Sequence, residues 1–64
     1  MSTVDRHIQA LRDLLVAEHT EHIAEVQRRA DEAAARGDVA NQRWHLDDVE
    51  RLKAMPYPWE QPAT

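Results

Sequence analysis

Sixty-four residues leave room for one domain, and a chain this short buries too little surface to be more than marginally stable alone. Twelve acidic against eight basic side chains give a net charge of -4. With acids within a turn of both Arg28-Arg29 and Arg51-Lys53, no basic stripe of the kind that grips a phosphate backbone is present, which speaks against direct nucleic-acid binding. The absence of cysteine removes disulfide staples and thiolate metal sites.

The first predicted element is a helix over residues 4–36. Ser2 or Thr3 supplies a cap, and Asp5 follows Ser2 by three positions as in a capping box. Val4, Ile8, Leu11, Leu15, Val26, Ala30 and Ala33 recur at helical spacing and define one face. Between Leu15 and Val26 the stripe passes through His19 and His22, with Ile23 at its edge. On the outer face Glu25-Arg29, Arg28-Glu32 and Glu32-Arg36 stand four apart and support the helix weakly, by about 0.2–0.5 kcal/mol each.

Gly37, the one glycine, follows as a helix stop in the left-handed position, and Asp38 starts the next helix as its N-cap. The second helix is predicted over residues 39–54, with Val39, Leu46, Val49 and Leu52 on its apolar face, Gln42 and His45 on the same side, and Asp47-Arg51 as a further i,i+4 pair. Met55-Pro56 ends it, because the residue before proline disfavours the helical region. Residues 55–64 carry all three prolines with Tyr57 and Trp59, and read as an extended tail. The fold class is therefore all-α: an antiparallel hairpin over residues 1–54, turning at 37–38, followed by the tail.

The arms are unequal. A helix of roughly 33 residues is about 50 Å long, and its partner is half that. Folded back at Gly37, Ala54 reaches about the level of His22, so Val4, Ile8, Leu11 and Leu15 stand beyond the second helix as a coiled-coil-like apolar seam. Such a patch marks an interface. Three covers fit it: a second copy, giving a dimeric four-helix arrangement; a foreign protein; or the tail, with Tyr57 and Trp59 laid over Leu15, Leu11 and Ile8. A break in the first helix near residues 18–22 would instead give three helices and remove the need for a partner.

Trp44 projects from the second helix on the side opposite Val49, among Ala40, Asp47, Asp48 and Arg51, where a large aromatic serves as a docking anchor. Together with Tyr57, Trp59 and the seam it makes the expected partner-binding set. The expected function is a non-catalytic protein-interaction module, a regulatory or accessory subunit that needs no cofactor.

Two other functions compete. His19 and His22 form an H-x-x-H pair flanked by Glu18, Glu21 and Glu25, a spacing at which two imidazoles can share a metal ion. His45 is the natural third ligand but lies about 12 Å from His22 along the hairpin. Carboxylates such as Asp31, Glu32, Asp47, Asp48 and Glu50 could instead mimic nucleic acid in an inhibitor of a nucleic-acid-binding protein. No nucleophile–base arrangement and no glycine-rich phosphate loop is present, so enzymatic activity is not expected. The chain opens without a basic segment leading into an apolar run, and no stretch approaches membrane-spanning length; a cytoplasmic protein without a membrane partner is expected. Its Ala/Arg-rich, Lys-poor usage is that of high-GC bacterial or phage genes.

Overall fold

The computed structural model describes residues 3–60; the cap expected at Ser2 and tail positions 61–64 lie outside the described residues. Helix α1 spans Thr3–Ala35, helix α2 spans Val39–Ala54, and a single 3-10 turn occupies Pro58–Glu60. No strand occurs among the described residues, and α1 and α2 pack against each other as a hairpin. Helix α1 runs unbroken through residues 18–22, with no Gly or Pro there to interrupt its hydrogen-bond ladder. The chain is accordingly 53 Å long, close to the length of α1 itself.

The turn is set by local chemistry. Gly37 adopts φ +74°, a left-handed conformation that L side chains rarely adopt. Its amide donates to Ala34 O at 3.0 Å and that of Asp38 donates to Ala33 O at 2.9 Å. These two bonds are the Schellman closure of a helix C-terminus. Asp38 then caps α2, its carboxylate accepting from the Asn41 amide at 3.3 Å and the Asn41 side chain at 2.6 Å.

The core is small and lies toward the turn. Val26, Ala30, Ala33 and Val49 are buried. The two alanines let α2 approach α1 closely, since helix separation follows the size of the side chains at the contact. Val39 and Leu46 were expected on the packed face of α2, yet they remain 66% and 37% exposed. Helix α2 is rotated so that Gln42, His45 and Leu52 are half-buried beside Val49, leaving Val39 and Leu46 on its flank. A narrow alanine surface on α1 accommodates one line of large side chains, and the Gln42–His45–Val49–Leu52 line occupies it.

Surface ion pairs also differ in detail from the expected i,i+4 set. Arg29 does meet Glu25, at 3.5 Å, but Arg28 turns back to the same carboxylate at 2.5 Å. Arg51 meets Asp48 at 3.5 Å instead of Asp47. Exposed pairs of this kind contribute about 0–1 kcal/mol each.

Candidate interaction surface

Helix α2 ends level with the middle of α1. His19 Nε2 lies 2.8 Å from Leu52 O. A carbonyl oxygen can only accept, so Nε2 carries the proton and donates. Helix α2 thus reaches a few residues farther along α1 than the level of His22, and among the described residues no second α-helix lies beside the part of α1 before His19.

The seam lies on that half. Val4, Ile8, Leu11 and Leu15 are 64%, 44%, 61% and 44% exposed. Leu14 and Val16, which the single-stripe reading of the sequence passed over, are exposed beside them. The signal for both was present: at 100° per residue, each lies within a quarter to a third of a turn of Leu11 or Leu15.

The tail borders the seam on one side. Beyond Pro56 the chain is not extended throughout: Pro58–Glu60 close a 3-10 turn, with Glu60 N donating to Tyr57 O at 2.9 Å. Proline suits the first position of such a turn because its missing N–H would have no partner there. The Glu60 carboxylate accepts in return from Tyr57 N at 3.2 Å. The turn brings Trp59 parallel to Tyr57, ring centroids 4.9 Å apart. Tyr57 meets the His19 ring edge-on at 5.5 Å, and the Arg12 guanidinium lies 5.4 Å from the Trp59 ring centroid. Leu15, His19, Met55, Pro56, Tyr57 and Pro58 line an open, apolar recess between tail and helix. Both aromatic residues are half-buried, and they follow the α1 track that α2 occupies nearer the turn. Ile8 and Leu11 stay largely open.

Trp44 stands apart from this surface. It is 59% exposed on α2, with its ring edge-on to His45 at 5.0 Å. The paired histidines part company: His19 is half-buried and engaged with Leu52 and Tyr57, while His22 is exposed. No group of three His, Asp or Glu side chains among the described residues is placed to hold a metal ion. No helix of the described residues is long and apolar enough to cross a membrane.

Fold and surface together define a two-helix hairpin with an exposed apolar seam on its longer arm. No family profile, curated protein or solved structure matches the chain.

Proposed function

We propose that this protein is a non-catalytic interaction module, a regulatory or accessory subunit that docks on protein through the α1 seam. The observation that carries this reading is the exposure of Val4, Ile8, Leu11 and Leu15 on a half of α1 that extends past the end of α2. An isolated amphipathic helix gains little from propensity alone and draws its stability from burial of its apolar face. A free arm with four aliphatic residues in register is therefore stabilised by docking. Trp44 offers a second, separate anchor on the opposite side of α2. Tyr57 and Trp59 form the wall that borders the seam.

Leu11→Asp tests the reading. It places a charge at an open seam position without touching the buried residues of the hairpin. The expected result is unchanged helicity by circular dichroism with loss of association by light scattering. Association that persists undiminished in Leu11→Asp would show that the seam is not the docking surface.

A further inference from the structure

We infer that the occupant of the seam is a second copy of this chain, laid antiparallel on the first; this rests on the reading of the seam as a docking surface. Three features of the free arm argue for it.

The first is register. Val4, Ile8, Leu11 and Leu15 follow spacings of four, three and four, the alternation of d and a positions in a heptad. Glu18 and His22 occupy the next two such positions and end the apolar run. Antiparallel helices form layers that pair an a with a d. Here Ile8 meets Leu11 of the second copy, and Val4 meets Leu15. Each layer recurs by two-fold symmetry, so the four residues satisfy one another completely, with the axis passing near Gln9 and Ala10.

The second is charge. The flanking e positions of this register are Asp5 and Arg12, both exposed. In an antiparallel pair e faces e, so Asp5 of one copy comes beside Arg12 of the other, twice per dimer. Flanking charges of this kind set partner choice and orientation. A parallel pair would instead set His7 against Arg12, with no carboxylate between them. The Arg12 guanidinium lies 5.4 Å from the Trp59 ring centroid, a contact that limits its freedom on this flank of the helix.

The third is fit along the axis. With Val4 opposite Leu15, Thr3 of the second copy falls level with position 16. Leu52, in the last turn of α2, lies level with His19. Thr3–Leu15 of the incoming helix therefore lie on the stretch of α1 before the level at which α2 ends. The seam is also rotated by about 50° around α1 from the track of α2 and the tail, at 100° per residue.

The absence of cysteine makes the test direct. Ile8→Cys and Leu11→Cys chains, one carrying a size tag, are mixed and oxidised. The expected product is the 8–11 heterodisulfide in excess over 8–8 and 11–11. A predominance of 8–8 and 11–11 products would overturn the antiparallel arrangement, and a statistical mixture would overturn the register. In the cysteine-free chain, light scattering from low to high micromolar should show mass rising toward twice the monomer. A mass that stays at one chain overturns self-pairing. Arg12→Asp should weaken the dimer about tenfold, since two weak pairs become two repulsions, and Asp5→Arg combined with Arg12→Asp should restore most of it. A double variant no tighter than Arg12→Asp would remove the charge pairing. Failure of the underlying reading looks different: a dimer that forms yet ignores Leu11→Asp.

Discussion

His19 Nε2 donates to the backbone oxygen of Leu52 at 2.8 Å, tying the middle of α1 to the last turn of α2 across 33 positions of sequence. Leu52 O also accepts from Met55 N at 3.3 Å, so one carbonyl both ends α2 and anchors it. The same imidazole meets Tyr57 edge-on, which places the start of the tail. His19 thus joins α1, α2 and the tail at one point.

Replacing it should loosen that end. His19→Ala is expected to cost about 1 kcal/mol, the worth of one net hydrogen bond with its ring contact. That corresponds to a fall in Tm of about 4–8 °C for a domain of this size. His19→Phe keeps the ring and should recover part of the loss. Thermal melts followed by circular dichroism measure both.

The turn gives a second expectation. A Cβ at Gly37 would meet nothing within 4 Å, so a substitution there is opposed by the φ of +74° and not by crowding. Gly37→Ala should therefore cost about 1–2 kcal/mol, and Gly37→Asn distinctly less, because asparagine tolerates the left-handed region. Equal losses in denaturant titrations would mean that backbone conformation is not the cause.

Close packing near the turn makes a third. Ala33 is fully buried, while Ala34, the next residue, is exposed. Ala33→Leu should destabilise by about 1–3 kcal/mol through overpacking. Ala34→Leu should fall within about 0.5 kcal/mol of the parent, as surface changes generally do. Urea midpoints of the two variants separate the cases.

With Nε2–H donated to Leu52 O, His19 has only Nδ1 to offer a metal ion, and no third ligand among the described residues is placed to complete a site with the pair. Zinc calorimetry is therefore expected to show no site that His22→Ala abolishes. A stoichiometric zinc isotherm lost in that variant would put metal binding ahead of protein docking. The melt of the unaltered chain should then shift with zinc, and those of the His19 variants should not.

Trp44 carries a prediction of another kind. Being largely exposed, it should contribute little to the hairpin, and Trp44→Ala should leave the melting curve nearly unchanged. If it is an anchor, affinity for a docked protein should drop by about 1 kcal/mol or more, measured by titration.

Two packed helices were legible because α1 and α2 carry strong punctuation. A single Gly-Asp step serves as stop and start, and Met55-Pro56 ends the second helix. What escaped was rotation. Nothing in the spacing of Val39, Leu46, Val49 and Leu52 says that the alanine surface of α1 will take Gln42 and His45 in preference to the first two. The His19–Leu52 bond was equally hidden, since it depends on how far α2 reaches along its neighbour. The tail was misjudged at Pro58–Glu60 because proline favours both an extended strand and the first position of a helical turn. The Glu60 carboxylate on Tyr57 N helps to hold the latter. Tyr57 lies against His19, beside Leu15, and Trp59 against Arg12, so the tail follows the Leu15 end of the placement considered from sequence and leaves Ile8 and Leu11 largely open.

The position of the core has a kinetic consequence. Val26, Ala30, Ala33 and Val49 all sit on the turn side of the hairpin, joined through a connection of only three residues. Closing so short a connection costs little entropy, and contacts local in sequence form early. Assembly should zip outward from Gly37, and opening should begin at the far end. Amide exchange would then be slowest around Ala33 and Val49 and quicken steadily toward Thr3, with a gradient that flattens when the long arm is clasped.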